Sequence, residues 1–144
     1  MFSFFKRLKA LRGAISTSNE ASQIKEDTVF LYSSILEKNA IKEKDIVLVQ
    51  FSLTQDITKY NPATALREKG FLTNTALFVC QEPKIEGSPP YIIRVMILYY
   101  GRKKPIYVYE KDAKFLRELT FRKKDLRNRW LKLGTASVAS RRSI

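Results

Sequence analysis

Three nearly continuous apolar runs, residues 46–53, 75–81 and 91–100, constrain this chain most strongly. They are rich in β-branched and aromatic side chains and are bounded by turn-forming residues, so they read as strands, the first two as buried ones. Residues 8–16 read as an earlier strand with a basic start, and residues 106–109 as a short late one. Residues 18–39 read as a helix, because Ile24, Leu31 and Ile35, with Val29, Tyr32 and Leu36, recur at helical spacing. Thr17 with Glu20, or Asn19 alone, is placed to cap its start. Asn61-Pro62 opens a second, short helix that Gly70 stops. Residues 83–90 form a loop rich in Pro, Gly and Ser, and residues 112–119 a short helical turn. The order β-α-β-α-β-β-β predicts an α+β domain, a mixed sheet with helices on one side.

The 144 residues fit one domain, expected over 1–120, followed by a basic tail at 121–144. Within the tail, residues 122–133 can form an exposed basic helix, and residues 136–144 are expected to be disordered. The net charge of +13 belongs to the ends. Residues 1–12 contribute +4, residues 121–144 contribute +7, and the body between them only +2. Basic ends bind phosphate without specificity, so no specific nucleic acid is expected as a partner. No apolar run approaches the ~20 residues of a membrane span. The start, residues 1–5, is too short for a signal-peptide core. The one cysteine, Cys80, allows no intrachain disulfide, which suits a reducing, cytoplasmic setting.

The chain has no histidine, the usual general base and the commonest metal ligand. The charged residues that break local rules carry the functional signal. Arg94 stands in an apolar strand on a face with Ile92, Met96 and Leu98, where a guanidinium needs an anionic partner. Glu82, at the end of the 75–81 run, is a possible partner. Taken alone, Glu82 also reads as a solvated strand end. Arg12 and Arg67 read as surface charge, Tyr109 as a core or rim residue, and Cys80 as a small core residue. Three arginines, a tyrosine and a glutamate suit the binding of a polyanionic small molecule by charge-assisted hydrogen bonds. They do not suit hydrolysis.

These residues sit in segments that match a known family. The chain resembles the small α+β chorismate mutases that form trimers, as distinct from the all-helical class. The matching segments are Leu11-Arg12-Gly13-Ala14, Asn61-Pro62-Ala63-Thr64-Ala65-Leu66-Arg67-Glu68, Gln81-Glu82, Ile93-Arg94-Val95-Met96 and Val108-Tyr109, with Leu116-Arg117 beyond. Their order and spacing agree over roughly residues 10–120. Three positions depart: the cysteine expected two residues before the Gln is Val79, with Cys80 shifted by one, and an expected aromatic and lysine appear as Asn61 and Thr64. Tyr60 can supply the ring.

The resemblance implies a pseudo-α/β-barrel homotrimer with sites between subunits, and conversion of chorismate to prephenate in phenylalanine and tyrosine biosynthesis. It implies that Arg94 faces the ether oxygen and that Arg12 and Tyr109 hold the carboxylate and ether region. It implies too that Glu82 binds the ring hydroxyl and orders Arg94. Arg67 and Leu116 border the mouth, with Tyr60, Thr64, Val79 and Cys80 as further substrate contacts. The reaction needs no cofactor and no metal. Two other readings remain: a non-catalytic metabolite-binding relative, suggested by Thr64 and Val79, and a nucleic-acid or membrane-surface binder driven by the basic ends.

Overall fold

The computed structural model describes residues 5–117, in two compact units, Met1–Ala113 and Lys114–Ile144. Of the second unit, residues 114–117 are described, and they are helical. The expected basic helix and disordered end of the tail lie outside the described residues.

The first unit is a five-stranded mixed sheet: β1 (Arg7–Ser16), β2 (Ile46–Leu53), β3 (Ala76–Gln81), β4 (Ile92–Gly101) and β5 (Val108–Glu110). Its spatial order is β3-β2-β4-β1-β5. β4 runs antiparallel to both β1 and β2, whereas β3 joins β2, and β5 joins β1, in parallel. The expected strands are all present. The 75–81 run, expected as a buried strand, is an edge strand: Phe78 is 60% exposed while Leu77 and Val79 are half-buried. Its alternation is hidden in sequence because apolar side chains occupy both faces.

Two helices, α1 (Ala21–Asn39) and α2 (Pro62–Glu68), lie on one side of the sheet. Strand alternation sends Leu11, Ile15, Val49, Phe51, Ile93, Val95 and Ile97 to that side, where they meet Ile24, Leu31 and Ile35 of α1. Fully burying each such side chain stabilises the fold by roughly 1.5–3 kcal/mol. Gly13 lets α1 approach: a methyl group there would come within 2.9 Å of Ile35 Cδ1. Glu20 holds the α1 N-cap position with no side-chain cap. Asn19 is used otherwise, its Oδ1 accepting from the Thr58 and Lys59 amides and so tying the helix start to the loop after β2. α2 begins as expected, Asn61 Oδ1 accepting from the Ala63 and Thr64 amides, and the chain leaves it through Gly70 at φ +81°. Among the described residues no helix is long and apolar enough to cross a membrane.

Candidate active site

The other side of the first unit's sheet carries neither helix, and it holds the residues singled out by charge. The β1–β4 register sets Ala14 opposite Arg94, and the β2–β4 register sets Ser52 opposite Arg94. Ser52 in turn faces Cys80, and Ala14 faces Tyr109. One row across the sheet therefore reads Tyr109, Ala14, Arg94, Ser52, Cys80. Arg12 stands in the next row, opposite Met96. Ala14, small and buried, stands between Arg94 and Tyr109 in this row.

Glu82 joins this group because its amide donates to Leu53 O at 2.7 Å, continuing the β2–β3 ladder one residue past β3. It thus falls on the same face as Cys80. Arg94 and Glu82 form an ion pair whose closest approach is Nε to Oε1 at 2.8 Å. The side chains are 37% and 20% exposed respectively, so Arg94 is half-buried rather than buried. Ser52 Oγ donates to the same Oε1 at 2.7 Å. Among the described residues neither Nη group of Arg94 nor Glu82 Oε2 makes a hydrogen bond. The result is a fixed cation with donors to spare beside a carboxylate oxygen free to accept, a constellation suited to an oxygen-rich anionic ligand.

Arg12 and Tyr109 flank this pair. Arg12 is exposed, its guanidinium 5.3 Å from the centroid of the Tyr107 ring. Tyr109 is half-buried on β5, which has only three residues and one neighbour, β1. Side chains of α1 make up for the short ladder. Glu110 accepts from Ser34 Oγ at 2.9 Å and Lys38 Nζ at 2.7 Å. Lys111 pairs with the buried Asp27, and Asn39 exchanges two hydrogen bonds with the backbone of Ile106. Sequence reading passed over Asp27, Ser34, Lys38 and Asn39, each an ordinary polar residue on a helix.

A second group lies on the helix-bearing side. Val79 pairs with Phe51 and packs against the core, facing away from Cys80 and Arg94. Thr64 and Arg67 are exposed on α2, and Tyr60 packs beside it. Lys25 Nζ lies 4.3 Å from the Tyr60 ring centroid and 3.1 Å from Glu68. The hydrogen bond with Tyr60, then that with Glu68, raises the Lys25 pKa; the Tyr60 and Lys25 bonds hold the Glu68 carboxyl below its usual range. Within one chain the sheet separates this group from Arg94, Glu82, Arg12, Tyr109 and Cys80. Leu116, half-buried, belongs to the second unit.

A family model for type I chorismate mutases matches residues 8–119. The chain belongs to the type I chorismate mutase family. It is 30% identical over 115 residues to chorismate mutase AroH of Thermus thermophilus, covering 76% of this chain and 93% of that protein. A solved chorismate mutase from Clostridium thermocellum superposes with a TM-score of 0.71 at 35% identity, covering 74% of this chain and 98% of that one. The α+β architecture is therefore that of the chorismate mutase pseudo-barrel, and the protein is an isomerase, a chorismate mutase. The binding-module readings are not favoured.

Proposed function

We propose that Arg94, Glu82, Arg12 and Tyr109 form one half of the chorismate site, and that a homotrimer completes it. The single observation that carries this reading is the Arg94–Glu82 ion pair on the helix-free face, 2.8 Å at its closest approach, with no hydrogen bond from either Nη group among the described residues. The rearrangement is unimolecular: one C–O bond breaks, one C–C bond forms, and no proton changes hands. The protein's tasks are to hold a compact conformer and to stabilise charge building on the ether oxygen. An Arg94 Nη donor at that oxygen supplies the second, a contribution of ~3–4 kcal/mol for one preorganised donor. Glu82 Oε2 accepts from the ring hydroxyl, while Arg12 and the Tyr109 hydroxyl hold the carboxylate region.

Two features favour completion by a neighbouring chain. Arg67, Tyr60, Thr64 and Val79 lie on the side of the sheet away from Arg94, so they reach a shared substrate only from another subunit. The helix-free face also exposes Leu8, Phe78, Met96 and Tyr100, an apolar surface suited to burial between copies. A cytoplasmic location, with prephenate passed to aromatic amino acid synthesis, belongs to the same reading. The free thiol of Cys80 accords with it.

Subunit mixing tests the proposal. Arg94→Ala and Arg67→Ala are each expected to be nearly inactive as homotrimers. In mixed trimers with sites between neighbours, about a quarter of sites combine two native halves, so mixing restores about a quarter of native turnover. If the mixture only averages its two components, the shared site is refuted.

A further inference from the structure

We propose that Ser52 is a positioning residue that keeps Arg94 from pairing with Glu82 at two points. The inference rests on the reading of Arg94 and Glu82 as the core of the site. An arginine and a carboxylate left to themselves commonly pair through two parallel N–H···O bonds. Here the closest approach is Nε to Oε1 at 2.8 Å, neither Nη group donates a hydrogen bond to Glu82 among the described residues, and the reason lies on β2. Ser52 stands directly opposite Arg94 on one side and Cys80 on the other. Its hydroxyl donates to the same Oε1 at 2.7 Å. That oxygen thus has the Ser52 hydroxyl and the Arg94 guanidinium converging on it and is drawn toward β2, while Oε2 makes no described hydrogen bond.

Among the described residues no neighbouring donor duplicates this contact. Cys80 Sγ is directed to Phe51 O at 3.4 Å, Gln50 Nε2 to Cys80 Sγ at 3.8 Å, and Thr54 Oγ1 to Asp56. The terminal torsion of a glutamate is soft. Without the Ser52 hydroxyl the carboxylate is free to rotate and take both Nε and an Nη, withdrawing one of the two donors that Arg94 presents to the substrate. Ser52 touches no reacting atom in this account. It sets which Arg94 atoms remain available, an effect felt in turnover more than in binding.

The test measures the loss of chorismate absorbance with the full chain carrying Ser52→Ala, Ser52→Thr, Glu82→Ala and the Ser52→Ala/Glu82→Ala pair. Ser52→Ala is expected to lower kcat about tenfold, the order for one hydrogen bond to a charged group, with KM changed less than about twofold. Ser52→Thr, which keeps the hydroxyl, is expected to stay within about twofold of native. In the Glu82→Ala background the serine change should have almost no further effect. Native kcat in Ser52→Ala overturns the proposal. So does an equal loss with and without Glu82, the signature of a role that does not pass through that carboxylate. If Ser52→Ala fails to fold, Ser52→Cys keeps the size with a weaker donor; it should also lower kcat, and native turnover there overturns the proposal equally. Native turnover in Glu82→Ala and Arg94→Ala would sink the underlying site assignment instead, so the two failures are distinguishable.

Discussion

Replacing Gly13 by alanine tests the link between packing and site geometry. Gly13 lies on β1 between Val95 of β4 and Val108 of β5, on the side facing α1. The added methyl would sit 2.8 Å from the Val108 carbonyl oxygen, 2.9 Å from Ile35 Cδ1 and 3.4 Å from Leu31 Cδ1. Comfortable carbon contacts lie at about 3.5–4.0 Å, so neighbours must move by more than half an ångström. Ile35 and Leu31 are fully buried and have little room. Overpacking of this kind costs about 1–3 kcal/mol. Alanine recovers about 0.5–1 kcal/mol relative to glycine in strand and unfolded-chain entropy. The net loss is roughly 0.5–2 kcal/mol, a fall in Tm of about 2–10 °C for a domain of this size.

The easiest relief is a shift of β5, held to the sheet by three residue pairs, and such a shift carries Tyr109 with it. Gly13→Ala should therefore lose turnover several-fold at 25 °C, where it remains folded. Thermal unfolding by circular dichroism at fixed protein concentration, followed by chorismate kinetics on the same samples, measures both effects. A variant as stable as the parent with unchanged kcat would refute the argument.

Burial raises the pKa of Tyr32, as it does that of Tyr99, and Glu43 adds to the effect at Tyr32. A raised tyrosine pKa stabilises the fold fully below the unfolded value of about 10, and that contribution is lost as pH rises further. Denaturant midpoints should hold to about pH 9 and then fall, with a shallower fall in Tyr32→Phe; a midpoint flat to pH 11 contradicts the assignment. Turnover should be level between about pH 6 and 9, since the reaction transfers no proton and the chain has no histidine. A bell-shaped profile centred near neutrality would require acid–base chemistry. Removing residues 123–144, which carry a net +6, should leave the rate at saturating chorismate intact while weakening salt-sensitive retention on DNA. Loss of all mutase activity in a folded truncated protein would move part of the site into the tail.

The sequence determined the elements themselves. Periodicity is a local property, so β2 and the α1 core face could be read directly, and Asn61-Pro62 and Gly70 bounded α2 by their own backbone preferences. Arg94 was conspicuous because a guanidinium inside an apolar strand needs a partner, and Glu82 was a candidate for that partner. What the sequence could not give was which strands are neighbours, because ladder hydrogen bonds join residues far apart in the chain. The order β3-β2-β4-β1-β5 makes β3 an edge, and the β2–β3 register places Cys80 beside Ser52 and turns Val79 to the opposite face. Alternation says that Val79 and Cys80 face opposite ways. Only cross-strand register says which of them shares a face with Arg94. Ser52 was invisible for the same reason: a serine in an apolar run carries no signal until pairing sets its hydroxyl against a carboxylate thirty residues away.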